Sequence, residues 1–243
     1  MACWQLVILA AVTAAHASTV MEKRIIGGSK VVLGEFGFAG SLQQFLDGEW
    51  THVCGCTRKL SNVFVSAAHC TNGSDISTFR AVFDTLDLTD LSPPAQITSI
   101  TSTYVLGSFT RNGPGYKLDY SELNVVNSNI TIPGSQDFLL NNVTVTNLTG
   151  EQCSIVGFGE GKMLMSKTVT VISTAECVQR LTGTGATITE RDEICIDGHS
   201  ITAGDSGTSL VCGGEFVGVA SWSYVPCPGT SVFVRLSSPI LDD

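Results

Sequence analysis

The segment Ala203-Gly204-Asp205-Ser206-Gly207 decides the reading of this chain, because two distant segments answer it: Ser66-Ala67-Ala68-His69-Cys70 and Arg24-Ile25-Ile26-Gly27-Gly28. A serine hydroxyl is a poor nucleophile at neutral pH and needs a base within hydrogen-bond reach. The glycines beside Ser206 let the backbone turn its N–H groups toward one point, where a developing oxyanion could sit. A cut after Arg24 would free an ammonium at Ile25, and Asp205 is an anion placed immediately before the nucleophile. Each segment alone has an ordinary explanation, since Gly-Asp-Ser-Gly arises by chance and a histidine can be a satisfied core residue. Their joint occurrence supplies a nucleophile, a base and a switch.

Together they resemble the trypsin/chymotrypsin family of serine peptidases, whose triad follows the chain order His, Asp, Ser. The third member must then lie between His69 and Ser206. Asp119 is the best candidate, at the head of the apolar stretch Leu118-Asp119-Tyr120-Ser121-Glu122-Leu123-Asn124-Val125 and after the loop Asn112-Gly113-Pro114-Gly115. Glu122 is its main rival, and the plain alternative for any acid in this interval is a solvated loop charge. The resemblance implies an all-β chain of two antiparallel six-stranded barrels with the site in the cleft between them.

Residues 1–17 form an apolar run ending Ala15-His16-Ala17, a small-x-small pattern that reads as a secretory signal. Residues 18–24 then form an activation propeptide ending at Lys23-Arg24, and 25–243 the peptidase domain. Its first barrel is expected at about 25–126, a linker rich in Asn and Thr at about 127–150, and the second barrel at about 151–243. Loss of residues 1–24 leaves 219 of 243 residues, enough for two small barrels. It removes one acid (Glu22) and two bases, taking the formal charge from −9 to −10. An acidic surface argues against nucleic acid or an anionic membrane as partner.

Nine cysteines suit an oxidising, extracellular compartment, and Cys3 would leave with the signal. The resemblance pairs Cys54 with Cys70, Cys153 with Cys212, and Cys177 with Cys195. Cys56 and Cys227 remain, free to pair with each other, stay reduced or bond another chain. Here the chain departs from the family, which usually has a cysteine where Thr202 stands and a glycine where Cys56 stands. Sequons at Asn72, Asn129, Asn142 and Asn147 are candidate glycosylation sites. Alternating β-branched runs at 97–105, 143–148, 168–173, 216–221 and 231–236 read as strands. Ser237 to Asp243 leaves room for about one helical turn, so the family's terminal helix is truncated.

By resemblance, His69 is the general base, Asp119 orients it, and Ser221 donates a hydrogen bond to that carboxylate. The N–H groups of Gly204 and Ser206 form the oxyanion hole, and the Ile25 ammonium buries against Asp205. The primary pocket has Ser200 at its floor, with Trp222, Ser223 and Ser231 along its walls. A neutral, narrowed pocket implies a small or medium apolar residue rather than Arg or Lys, because a buried guanidinium without a counter-charge is costly. The enzyme would then depend on a basic-specific protease for its own activation. Its partners would be a protein or peptide substrate and a proteinaceous inhibitor, with the protein a secreted monomer. No cofactor is expected. No metal set is expected either: His52 and His199 read as surface residues, and no third ligand converges on them. The alternative is a weak or inactive secreted homologue that binds a partner protein, since Gly207-Thr208-Ser209 replaces the usual Gly-Gly-Pro after the nucleophile.

Overall fold

The computed structural model describes residues 25–125, 147–238 and 241. The signal and propeptide, Arg24, most of the linker with Asn129 and Asn142, and most of the terminal turn lie outside the described residues. A short strand β1 (Ser29–Lys30) precedes the first barrel, which contains β2 (Ala39–Leu46), β3 (Glu49–Leu60), β4 (Val63–Ser66), β5 (Phe79–Phe83) and β6 (Gln96–Val105). A small hairpin, β7 (Thr110–Asn112) and β8 (Gly115–Lys117), leads to the sixth barrel strand, β9 (Ser121–Val125). The barrel closes in the order β2-β3-β4-β9-β6-β5. Closure pairs every strand on both sides and leaves no open sheet edge.

The second barrel is built from β10 (Gln152–Gly157), β11 (Met165–Ile172), β12 (Glu193–Asp197), β13 (Ser209–Cys212), β14 (Glu215–Tyr224) and β15 (Thr230–Arg235). Its strands run in the order β11-β10-β13-β14-β15-β12, and pairing of Val171 with Ile196 and Ile172 with Cys195 closes the ring. β1 adds to the outside of β11 through Ser29 and Lys30. The expected strands at 97–105, 168–173, 216–221 and 231–236 thus overlap β6, β11, β14 and β15, with ends that differ by up to three residues. The run at 143–148 lies largely outside the described residues.

Period-two patterning decides which side chains enter each core. In β9, Ser121, Leu123 and Val125 point inward while Glu122 and Asn124 point out. The first core gathers Leu42, Cys56, Phe64, Phe79, Phe83 and Leu123, with the Phe64 and Phe83 rings stacked at 4.4 Å. Ile155, Val169, Ile194, Leu210, Val217 and Phe233 form much of the second. Each buried aromatic or branched side chain contributes roughly 1.5–3 kcal/mol by leaving water. A further cluster joins the barrels: Val65, Leu118 and Tyr120 from the first meet Phe216, Val219 and Val234 from the second. This seam holds the two halves of the site in fixed relation.

The chain has the disulfides Cys54–Cys70, Cys153–Cys212 and Cys177–Cys195. The last ties the seven-residue helix α1 (Thr174–Arg180), capped by Ser173, to β12. Cys56 is a free, buried thiol, so it does not pair with Cys227.

Candidate active site

His69 sits in a single 3-10 turn, Ala68–Cys70, directly after β4, and the Cys54–Cys70 bond clamps that turn to β3. Asp119 enters from the loop before β9. Leu118, immediately ahead of it, has φ +51°, a left-handed conformation that branched and bulky residues avoid. Burial of the Leu118 side chain in the seam between the barrels holds it there. Asp119 is itself fully buried, and its carboxylate accepts three hydrogen bonds. His69 Nδ1–H donates to Oδ2 at 2.6 Å, the His69 backbone N–H to Oδ1 at 2.8 Å, and Ser221 Oγ–H to Oδ2 at 2.6 Å. Such donors substitute for the water that burial removes.

The rival acid is engaged elsewhere. Glu122 faces outward from β9, where Lys59 pairs with it and the Tyr120 hydroxyl donates to it at 2.8 Å. Ser206 lies between β12 and β13, and its Oγ–H donates to the Ser221 carbonyl at 3.4 Å. Ser221 therefore touches Asp119 with its side chain and Ser206 with its backbone. The described hydrogen bonds include none between Ser206 and His69. Catalytic hydrogen bonds are often long or misaligned until substrate arrives.

Two glycines shape the turn around Ser206. Gly204 has φ +84°, and a Cβ there would lie 2.4 Å from the Gly159 carbonyl oxygen. Gly207 also has φ +84°, with the Gly55 carbonyl oxygen and Ser66 Oγ each 2.3 Å from an added Cβ. The loop is tied down by Gly55 N–H donating to Ser206 O at 2.7 Å and Gly207 N–H to Ala220 O at 2.7 Å. Thr208, which replaces a glycine of the family pattern, tucks its methyl carbon against Gly55 and Gly157. The extra side chain is accommodated by two glycines that have no Cβ to oppose it.

His52 corrects the sequence expectation of a surface residue. Its Nδ1 accepts from Ser41 Oγ at 2.7 Å and its Nε2–H donates to the Gly204 carbonyl at 3.0 Å. Burial lowers its pKa to about 4, so the ring is neutral at pH 7. It braces the turn at Gly204 from the first barrel. No local signal could have revealed this, since its partner lies 152 residues away.

Asp205 is buried, and burial raises its pKa to about 6. Oδ2 accepts from Thr202 N–H at 2.8 Å and Thr202 Oγ–H at 3.1 Å. Oδ1 is buried with no hydrogen-bond partner among the described residues, and the Gly159 N–H lies near the carboxylate. Ile25 is also buried, in the core of the second barrel.

Three of the four pocket candidates, Ser200, Ser223 and Ser231, come together. Ser231 Oγ accepts from Ser200 N–H at 3.0 Å and from Ser223 Oγ–H at 2.7 Å, and Ser223 Oγ also contacts the Ile201 carbonyl at 3.2 Å. Trp222 packs its indole on Gly115 of the hairpin and donates from Nε1 to the Tyr116 carbonyl at 3.2 Å. The sequence reading missed Tyr116, which stacks on the His69 ring at 4.7 Å and carries the Arg111 guanidinium on its own ring at 4.6 Å. A cleft of about 420 Å³ opens beside His69, lined by Asn72, Phe109, Thr110, Arg111 and Tyr116. Asn72 and Asn147 are both exposed, as glycan acceptors must be. Among the described residues, Cys54, His69 and Cys70 form the group with metal-ligand spacing, but both sulfurs are consumed by their disulfide.

Comparison with known proteins identifies the family. The family model described as Trypsin matches residues 25–240. A chymotrypsin-like serine proteinase of Haliotis rufescens is 31% identical over 241 residues, which is 95% of this chain and 94% of the relative. A fibrinolytic enzyme, isozyme C, of Lumbricus rubellus is 28% identical over 88% of this chain and 96% of its own. Trypsin delta of Drosophila melanogaster is 27% identical over 90% of this chain and 88% of its own.

Proposed function

This chain belongs to the trypsin family and is a serine endopeptidase, and from that premise we propose that His69, Asp119 and Ser206 are its catalytic triad. The observation that carries the reading is the buried Asp119 carboxylate, held by His69 on one side and by Ser221, neighbour of Ser206, on the other. With Nδ1–H committed to Asp119, His69 presents Nε2 as an unprotonated base. Ser206 Oγ attacks the peptide carbonyl as its proton passes to Nε2, and the imidazolium is stabilised by Asp119. The tetrahedral oxyanion is received by the N–H groups of Gly204 and Ser206, on the loop that His52 braces. Collapse expels the amine, which takes the proton from His69, and water repeats the sequence to release the acid.

Cleavage after Arg24 by a basic-specific protease is the activating step. The freed Ile25 ammonium would satisfy Asp205, whose Oδ1 has no hydrogen-bond partner among the described residues and whose pKa burial raises. A buried ion pair is a weak stabiliser but a suitable switch. The apolar leader and the disulfides Cys54–Cys70, Cys153–Cys212 and Cys177–Cys195 support secretion, and no helix among the described residues is long and apolar enough to cross a membrane. Ser200, Ser223 and Ser231 offer hydroxyls and no carboxylate, which supports a non-basic residue of small or medium size at the cleaved bond. Chain processed to begin at Ile25 should hydrolyse a mixed peptide library, with S206A inert. Equal cleavage by S206A, or none by the processed parent, would overturn the reading.

A further inference from the structure

Lys167, the third residue of β11, reaches Ser200. Its Nζ donates to Ser200 Oγ at 3.0 Å, and Ser200 is buried. Burial of the lysine lowers its proton affinity, and the acid whose field opposes this is Asp197. Asp197 is already taken by Arg180 Nη1 at 2.8 Å, and no carboxylate of the described residues forms an ion pair with Lys167. A half-buried ammonium without an acid partner costs stability unless something else answers the charge.

The hydroxyl it touches is equally informative. Because Ser200 Oγ accepts from the ammonium, its own proton is polarised and turned elsewhere, and none of the described hydrogen bonds gives that proton an acceptor. The neighbouring hydroxyls are committed: Ser231 Oγ receives Ser200 N–H and Ser223 Oγ–H, while Ser223 Oγ lies against Ser231 and the Ile201 carbonyl. The floor is therefore a hydroxyl donor backed by a positive charge. That chemistry fits a carboxylate, repels a guanidinium or ammonium, and does not describe an apolar slot.

We propose that Lys167, acting through Ser200, sets the primary pocket for an acidic side chain, aspartate or glutamate, on the acyl side of the cleaved bond. The inference rests on the reading of Ser200 as the pocket floor and replaces the sequence expectation of an apolar residue.

The test uses chain processed to Ile25 and matched peptides that differ only at that side chain: Glu against Gln, Asp against Asn, Lys against Met. The proposal expects kcat/KM to favour Glu over Gln by about tenfold or more, with Lys the poorest. K167M should bring the Glu to Gln ratio to about one, and K167R should keep it. A purely structural lysine would change all substrates alike. The same peptides are titrated calorimetrically against S206A, so the pocket is read without chemistry. Acidic preference in binding, lost in K167M, with no cleavage by the parent, would support this inference while sinking the hydrolytic reading. Cleavage without acidic preference would overturn the inference alone, and neither binding nor cleavage would overturn both.

Discussion

The Asp119 carboxylate grips His69 at two points, ring Nδ1–H at 2.6 Å and backbone N–H at 2.8 Å, one for each oxygen. This double hold fixes both the position of the 3-10 turn and the tautomer of the ring. Replacing Asp119 by Asn presents an N–H donor to Nδ1 and forces the proton onto Nε2, where the base should be. D119N should lower kcat by roughly 10⁴ with little change in KM. Steady-state kinetics on a peptide ester, with circular dichroism to show an intact fold, would check it. A loss below tenfold would remove Asp119 from the mechanism.

Gly204 is constrained by its φ of +84° and by the Gly159 carbonyl oxygen, which a methyl group would meet at 2.4 Å. G204A should displace the N–H that meets the oxyanion and reduce kcat by about 10²–10³. Covalent trapping of Ser206 by a small sulfonyl fluoride, which needs less of the oxyanion hole, should suffer less than peptide hydrolysis.

Asp205 and His52 give the unprocessed chain two opposed pH dependences. Asp205 has a pKa raised from 3.8 to about 6, so the folded state holds its proton more tightly and stability falls as pH rises through that window. His52 has a pKa lowered from 6.5 to about 4, so its contribution is complete above 6.5 and is lost as pH falls toward 4. Each amounts to roughly 3 kcal/mol, and in the parent chain they largely cancel. Urea unfolding between pH 4 and 6.5 should show stability rising with pH in D205N and falling with pH in H52F. Slopes of the same sign in both variants would contradict the assignment.

Cys56 makes a simpler case. It is a free thiol inside the first barrel core, and burial pushes its pKa upward, away from the reactive thiolate. Iodoacetamide at pH 8 should leave the Cys56 peptide unmodified in native protein and alkylate it in guanidinium, as read by mass spectrometry. Rapid native labelling would mean that this part of the barrel opens readily.

What could be seen beforehand divides by the range of the interaction. The barrel architecture was legible through the family resemblance carried by the segments around Ser206, His69 and Ile25, while the choice of Asp119 over Glu122 rested on its place at the head of an apolar stretch; in the structure Glu122 lies on the outer face of β9 and Asp119 is the buried acid. His52 and Lys167 could not be seen. Each acts through a partner on a distant strand or loop, Gly204 for one and Ser200 for the other, and neither neighbourhood carries a pattern that marks the residue. Tyr116 was hidden for a related reason: its place over His69 depends on docking of the β7–β8 hairpin against Trp222, a contact permitted because Gly115 lacks a Cβ.

The most direct measurement of the central claim is reaction of Ser206 with a peptidyl phosphonate before and after cleavage at Arg24, followed by intact mass and by mapping of the adduct. The account predicts one adduct per chain on Ser206 after cleavage, little before it, and none in H69A. An absent adduct in the processed chain, or one on another residue, would contradict it.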